Sequence, residues 1–309
     1  MFLPLVFLTT RDGDDTMADT QESLDITPEA VSQAVAAMIA AKPAYRDLIA
    51  FYGRIFAAQE EARQRIRLEP IVIPEELLTI RRREQLPLVP VAGMAFDPAA
   101  AGVLLGEICG IAVDCGSGLS GSARILSAKS AEITPLFRDF INEDESAMAR
   151  AAAGLGVDPH ALAFFLYHSL RPALRCCARQ LSGFLTDDPV WEQGYCPICG
   201  SPPGLSCLEG DGERSLFCSF CWHKWPLRRA LCPFCGNQDQ EHRLFLYSDE
   251  EPEYRMDACA SCRKYIKTVD TRVLGRRSYP PLEQIASLHL DIKAAEEGYA
   301  AGIPITPPS

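Results

Sequence analysis

Four C-x-x-C pairs restrict what this chain can fold into more than any other feature of its sequence. Two residues between a pair of thiolates let both sulfurs face one metal ion, and two such turns complete a tetrahedral site with four cysteine ligands. The sequence therefore predicts two metal ions per chain. Their predicted ligands are eight of the thirteen cysteines in the 309 residues: Cys196, Cys199, Cys218, Cys221, Cys232, Cys235, Cys259 and Cys262.

The spacing of the pairs indicates a tandem repeat. The first and third pairs both read C-P-x-C-G, with 18 residues between Cys199 and Cys218 and 23 between Cys235 and Cys259. Short connections favour sequential pairing of the turns, although the two crossed pairings stay open. We expect a first rubredoxin-like or zinc-ribbon module over residues 189–230 and a second over residues 231–278.

Upstream of the cysteine pairs the pattern is helical. Thr27, Asp97 and Asp158 each precede a proline, which combines an N-cap residue with the residue favoured at the first helical position. Short β-type runs occur between the pairs, over residues 243–248, 254–257 and 265–269. The predicted fold class is α+β and multidomain, with three successive parts: an N-terminal α-helical bundle over residues 27–188, the tandem modules, and a C-terminal helix over residues 279–300.

The N-terminal residues 1–26 are expected to be disordered or an over-extended start. The apolar stretch Met1–Thr10 has no basic residue before it and no small-residue cleavage site after it, so it does not resemble a signal peptide. Met17 opens an ordinary soluble start. No run of about 18 apolar residues occurs, so we expect no membrane insertion.

Charge argues against nucleic acid as a partner. The chain carries 41 acidic and 30 basic residues, a net charge of −11. Such a chain repels a phosphate backbone. We therefore expect a protein partner.

The identity and role of the metal stay open at this stage. Four thiolates suit Zn²⁺ or a single iron ion, and raw affinity favours zinc over Fe²⁺. The ions can be purely structural, because modules this small need such support. They can also be redox-active one-iron sites. A thioredoxin-type dithiol fits four pairs in two matched units poorly.

The remaining cysteines and histidines have simpler interpretations. We expect buried thiols at Cys109, Cys115, Cys176 and Cys177, and no ligand role for Cys207 within the first module. His223 directly follows a C-x-x-C pair and is a candidate to hydrogen-bond a sulfur. The sequence shows no Ser/His/Asp arrangement and no phosphate-binding glycine loop, so we do not predict an enzyme.

A partner-binding patch is expected beside the second turn of each module, where aromatic and basic residues cluster. Such residues are the usual anchors of protein interfaces. The alternative for the two tryptophans is a place in the core of a module. The candidates are Trp222, Trp225, Arg228, Arg229, Arg263 and Tyr265.

The cysteine motifs and the segment after them resemble one known family. The order GYCPICGSPP, LFCSFCWHKW, LRRALCPFCG, DACASCRKYIKT and IASLHLDIKAAEEGY is similar to that of FdhE proteins. The resemblance implies a cytoplasmic, non-catalytic accessory protein that binds the catalytic subunit of formate dehydrogenase during its maturation. It also implies iron in the cysteine sites. A rubredoxin-like one-electron redox protein is the alternative function.

Overall fold

The computed structural model describes residues 26–186, 190–247 and 249–303. The segment expected to be disordered or an over-extended start, residues 1–26, lies outside this range except for Ile26. Residues 187–189, next to the predicted boundary of the first module, lie outside it as well.

Helices form the N-terminal part of the protein. The predicted starts are confirmed, because the side chains of Thr27, Asp97 and Asp158 each accept a backbone N–H at 2.8–3.2 Å. Within the described ranges, no helix is both long and apolar enough to cross a membrane. The helices are α1 (Pro28–Ala41), α2 (Arg46–Arg65), α3 (Glu75–Arg83), α4 (Pro98–Asp114), α5 (Ser120–Ala128), α6 (Ser130–Ile133), α7 (Leu136–Ile141), α8 (Glu145–Leu155) and α9 (Pro159–Ser182).

The long helix α9 lies at the centre of the helical part. It packs against α2, α4, α7 and α8. Phe165, Leu166, Leu170 and Leu174 on this helix have no exposed surface. Burying each of these side chains contributes about 2 kcal/mol, so α9 organises the core of this part.

A mixed sheet contains both cysteine modules. The strands are β1 (Pro203–Glu209), β2 (Glu213–Cys218), β3 (Lys224–Pro226), β4 (Arg243–Tyr247), β5 (Tyr254–Cys259), β6 (Lys264–Asp270) and β7 (Ala300–Ala301). They run in the order β3-β2-β1-β6-β5-β4, and β7 pairs with β6.

A strand of the first module pairs with a strand of the second, and this pairing joins the two modules into one sheet. Residues 206–208 of β1 pair in parallel with residues 268–270 of β6. The hairpin β1–β2 belongs to the first module and the hairpin β5–β6 to the second. The modules thus share one continuous sheet, a connection that the sequence analysis did not anticipate.

The C-terminal segment, expected as one helix over residues 279–300, forms two helices. These are α10 (Pro280–Ala286) and α11 (Leu288–Glu296). Ser287 separates them with φ −111° and ψ 24°, outside the helical region. Its hydroxyl donates to the Glu283 carbonyl at 2.8 Å, a local bond that competes with the helical pattern.

A buried carboxylate connects the helical part to the C-terminal segment. Glu60 of α2 has no exposed surface, and it pairs with Arg175 of α9 and, at 2.7 Å, with Arg63. The Tyr279 hydroxyl donates to it at 3.2 Å. A buried charge is tolerated when it is paired in this way, so Glu60 holds these three segments together.

Candidate metal centres

The first cysteine pair forms a tight turn after the helical part. The Gly200 N–H donates to the Cys196 carbonyl at 2.9 Å, and the Cys196 N–H donates to the Ser201 carbonyl at 2.9 Å. Gly200 has φ +79°, which a residue without Cβ adopts without strain. The turn points both sulfurs, those of Cys196 and Cys199, toward the end of β2.

The second pair completes the first centre at the end of β2. The backbone N–H groups of Phe220 and Cys221 both point at the Cys218 sulfur, each at 3.4 Å. Backbone N–H groups that point at a ligand sulfur hold it in position for a metal ion. This turn thus supplies two further sulfurs, and both of its N–H donors point at that of Cys218.

The four sulfurs of the first unit lie at the spacing of one tetrahedral ion. The Sγ atoms are 3.6 Å apart for Cys196 and Cys221, 3.5 Å for Cys199 and Cys218, and 3.6 Å for Cys199 and Cys221. A tetrahedron with metal–sulfur bonds of about 2.3 Å has sulfur–sulfur edges of about 3.8 Å. The cluster therefore fits a metal ion bound by four thiolates.

The second unit repeats this geometry. The Gly236 N–H donates to the Cys232 carbonyl at 2.9 Å, and Gly236 has φ +72°. The Sγ atoms of Cys232 and Cys262 are 3.8 Å apart, and those of Cys235 and Cys259 are 3.7 Å apart. Within each cluster all four sulfurs lie within 4.8 Å of one another, in the sequential grouping that the spacing favours.

A left-handed residue follows every C-x-x-C pair. Gly200 and Gly236 follow the first pair of each unit, as the C-P-x-C-G motif predicts. Trp222 with φ +62° and Arg263 with φ +56° occupy the same place after the second pairs. A residue with a Cβ pays about 1 kcal/mol for this conformation, so the turn geometry, rather than residue preference, sets these angles.

The two centres differ in exposure. All four cysteines of the first cluster are buried, with at most 3% of their surface exposed. In the second cluster Cys235 is exposed and Cys262 is half-buried. Solvent therefore reaches the second centre and not the first.

Burial and hydrogen bonding act in opposite directions on the thiols of the first cluster. Hydrogen bonds with the neighbouring thiols lower the pKa of Cys199, whereas burial raises the pKa of both Cys196 and Cys221 far above their usual range. A divalent cation would let all four ionise together, so this donor set suits a soft-ligand metal such as zinc or iron.

Two thiols of the second cluster differ in the same way. Burial opposes ionisation of Cys259, but hydrogen bonds from the N–H groups of Cys262 and Ser261 and with the neighbouring thiols lower the pKa of Cys259 to about 6. Burial raises the pKa of Cys262.

The other cysteines lie outside both clusters. Cys109, Cys177 and Cys207 are buried, and burial raises the pKa of Cys109 to about 12. Cys176 is half-buried. Cys115 is exposed and accepts a hydrogen bond from Arg54 at 3.3 Å, which corrects the expectation of a buried thiol there. It lies after the end of α4, where the chain turns toward solvent.

Three of the predicted partner-binding residues are buried. Trp222, Trp225 and Tyr265 each have less than 5% of their surface exposed. They donate hydrogen bonds to the Tyr167 hydroxyl, the Gln193 carbonyl and the Asp291 carboxylate, respectively. These three side chains are core residues, because their polar ends find partners inside the protein. For the two tryptophans this agrees with the alternative interpretation, a place in the core of a module.

The other three candidates point into solvent. Arg228, Arg229 and Arg263 are exposed. Arg228 lies 4.0 Å from Glu192, and the Arg263 guanidinium is 4.3 Å from the centre of the Tyr299 ring. The structure therefore keeps the arginines, but not the aromatic residues, on the accessible surface.

An arginine next to the first centre was missed by the sequence analysis. Arg171 of α9 is buried, and its guanidinium lies 4.4 Å from the Trp222 ring and 5.1 Å from the Phe56 ring. This stacking fixes the indole that follows Cys221. Its sequence position, in the middle of a helix 50 residues from Cys221, gives no indication of the contact.

The fold and the clusters define a class: a metal-binding protein in which a helical part precedes tandem zinc-ribbon-like modules, each with four clustered cysteines. Comparison with known proteins narrows this class. The chain is 34% identical over 148 residues to the FdhE homolog of Aquifex aeolicus (strain VF5), a match that covers 47% of this chain and 51% of that protein. It is 32% identical over 116 residues to protein FdhE of Escherichia coli O1:K1 / APEC, covering 35% and 36%.

The similarity in fold covers more of the chain than the similarity in sequence. The crystal structure of the FdhE protein from Pseudomonas aeruginosa superposes with a TM-score of 0.64 at 20% identity, over 91% of this chain and 94% of that one. The sequence matches span about half or less of the curated relatives, and no protein-family model matches. The resemblance indicated by the cysteine motifs is confirmed: the chain is similar to FdhE proteins in sequence over part of its length and in fold over most of it.

Proposed function

We infer that this chain is a non-catalytic accessory protein for formate dehydrogenase. It acts in the cytoplasm and binds the catalytic subunit of that enzyme during maturation. The observation that carries this inference is the kinship with FdhE proteins, in sequence across part of the chain and in fold across most of it. The acidic charge of −11 supports a protein rather than a nucleic acid as the partner.

The closed ligand sets support a non-catalytic role for the metals. Each cluster offers four thiols to one ion. A metal with four protein ligands has no open position for a substrate, unlike a catalytic site with three. Cys196, Cys199, Cys218 and Cys221 would hold one ion, and Cys232, Cys235, Cys259 and Cys262 the other. Family resemblance favours iron in these sites, and zinc fits the same donors.

The helical part favours an accessory role over that of a small electron carrier. Rubredoxin-like modules fold around their own metal and need no such support. Here side chains from the helices and from the modules form one continuous buried cluster. A structure of this size is suited to holding a partner protein.

The test is a binding measurement without oxygen. The anaerobically purified chain is titrated with the purified catalytic subunit of the formate dehydrogenase, and the dissociation constant is measured by calorimetry. The inference predicts a saturable complex that forms with the metal-loaded chain. A chain in which the eight clustered cysteines are replaced by Ser is the control, and it should bind weakly or not at all. Absence of any complex with the loaded chain would contradict the inference.

A further inference from the structure

Strand β4 is an exposed, apolar edge of the sheet. It stands last in the strand order, and in the part of the chain that the structure describes β5 is its one strand neighbour. The exposed fractions are 44% for Leu244, 46% for Phe245 and 68% for Tyr247. Proteins usually protect such an edge, because its free backbone groups pair with other chains.

The opposite edge of the same sheet is protected. Strand β3 has three residues, of which Lys224 and Trp225 are buried, and it ends at Pro226. Short length and a terminal proline both prevent strand addition. β4 has neither device, and Arg243 is its one charged residue.

One hydrogen bond fixes which backbone groups of β4 face outward. The Ala260 N–H donates to the His242 carbonyl at 2.8 Å, just before β4 begins. Bonded and non-bonded residues alternate along an antiparallel pair, so Leu244 and Leu246 also bond toward β5. The N–H and C=O groups of Phe245 and Tyr247 therefore face away from the sheet, whereas the Arg243 N–H is bonded to the Gln240 carbonyl.

Basic side chains surround the central aromatic residue of this edge. The guanidinium carbons of Arg243 and Arg255 lie 5.3 and 5.0 Å from the centre of the Phe245 ring. Arg243 also donates to the carbonyl of Arg229, whose own side chain is exposed. The nearby Asp257 carboxylate is buried and bonded to Arg255 at 2.7 Å. Asp257 neutralises Arg255, so the positive charge next to the Phe245 ring comes from Arg243, and it complements an acidic side chain placed opposite Phe245. Exposed acidic residues, among them Glu241 and Asp249, lie beyond the two ends of β4.

The arginine end of β4 adjoins the solvent-accessible metal centre. Arg243 lies opposite Cys259 in the strand register. A small cleft there is lined by Arg243, Lys264, Cys232 and Cys259, among others. A chain paired with the outer edge of β4 would lie two strand spacings, about 10 Å, from Cys259 of the second cluster.

We propose that the outer edge of β4 is a docking site for an extended, acidic segment of the partner protein, which adds to the sheet as a further strand. Backbone pairing with Phe245 and Tyr247 supplies affinity, and Arg243 beside Phe245 selects an acidic side chain. This inference rests on the proposed function, in which the partner is the formate dehydrogenase catalytic subunit.

Amide hydrogen exchange tests the pairing directly. In the free chain the outward amides of Phe245 and Tyr247 should exchange quickly, whereas the inward amides of Leu244 and Leu246 should be protected. Addition of the catalytic subunit should slow the outward amides by on the order of tenfold or more. Unchanged exchange of the outward amides in a formed complex would overturn the proposal.

Two variant pairs separate backbone pairing from charge. Tyr247→Pro removes one outward N–H, and Tyr247→Thr keeps it with a good strand former. Arg243→Glu reverses the charge on the edge, and Arg124→Glu makes the same change on an exposed position of α5. Tyr247→Pro and Arg243→Glu should each weaken binding of the subunit by about tenfold or more relative to their controls. Metal content and helicity of each variant are measured alongside.

The outcomes distinguish this proposal from the proposed function. If the subunit binds all four variants equally, the edge is not the docking site, although the accessory role stands. If the wild-type chain binds no subunit, both fail. If the free chain forms a concentration-dependent dimer in which the Phe245 and Tyr247 amides exchange slowly, the edge pairs with a second copy of this chain. Protection of the same amides by a 20-nucleotide single-stranded RNA would assign the edge to nucleic acid. Either of these last two results overturns the proposal.

Discussion

The indole N–H of Trp222 donates a hydrogen bond to the phenol oxygen of Tyr167, at 3.0 Å. Trp222 directly follows Cys221 of the first metal centre, and Tyr167 lies on α9. The Tyr167 hydroxyl in turn donates to the Ser219 carbonyl, between the two cysteines of the same turn, at 2.8 Å. The central helix therefore holds the first centre from one side, which makes that centre part of the protein core.

This contact predicts a stability effect. Tyr167→Phe removes the hydroxyl and leaves the Ser219 carbonyl and the Trp222 indole without their partner. We expect a loss of about 1–2 kcal/mol in the free energy of unfolding, because polar groups away from solvent become unpaired. Denaturant titration of the metal-loaded chain measures it. The matched control is Tyr247→Phe, whose side chain is exposed and should change the free energy by about 0.5 kcal/mol or less.

Metal content is the second prediction. Protein made and purified without oxygen should contain two metal ions per chain, measured by elemental analysis. Replacing the eight clustered cysteines by Ser should remove both, because these thiols are the soft donors of the two sites. Replacing Cys109, Cys115, Cys176 and Cys177 by Ser should leave the metal content unchanged. One ion per loaded chain would contradict the tandem-site account.

The difference in exposure predicts unequal release of the two ions. A chelator reaches the second centre through exposed Cys235, whereas the buried first centre must open before it can react. Release of the second ion should be faster by on the order of tenfold. Mass spectrometry after brief alkylation should show modification of Cys235 before Cys196. Equal release rates with simultaneous labelling of both cysteines would contradict this order.

The buried side chain of His168 should make the free energy of unfolding depend on pH. Burial, together with the charge of Arg171, lowers the pKa of His168 to about 3. The unfolded chain takes up a proton near pH 6.5 and the folded chain does not, so stability is lost as the pH falls below 6.5. Between pH 7.5 and 5.5 the loss should be about 1.4 kcal/mol.

The control for this titration is His168→Phe, which cannot take up a proton. Its free energy of unfolding should depend less on pH by that same amount, whatever its absolute stability. Denaturant titrations at the two pH values measure both proteins. An equal pH dependence in wild type and variant would show that His168 does not titrate on unfolding.

Features encoded within a few residues could be predicted from the sequence. The helix starts at Thr27, Asp97 and Asp158 depend on one side chain and the next three backbone N–H groups. The turns at Gly200 and Gly236 depend on a C-P-x-C-G motif of five residues. Because these geometries are local, their residue types identify them without knowledge of the fold.

Features that depend on distant contacts could not be predicted. The burial of Trp222 requires Tyr167, which lies 55 residues earlier in the chain. The sheet continues across the modules because residues 206–208 pair with residues 268–270, a contact that no local motif encodes. The exposed edge at β4 follows from the same strand order, and no local motif indicates it. Of the predicted partner-binding residues, the arginines are exposed, whereas Trp222, Trp225 and Tyr265 are buried by contacts with distant segments.

The most direct test of the central claim is formate-dependent activity in cells. A strain that contains formate dehydrogenase and lacks this chain is complemented with the wild-type protein or with the variant in which the eight clustered cysteines are Ser. Formate oxidation is then measured in extracts containing equal amounts of the catalytic subunit. The account predicts activity with the wild type and its loss both without the chain and with the cysteine variant. Full activity in the strain that lacks the chain would contradict it.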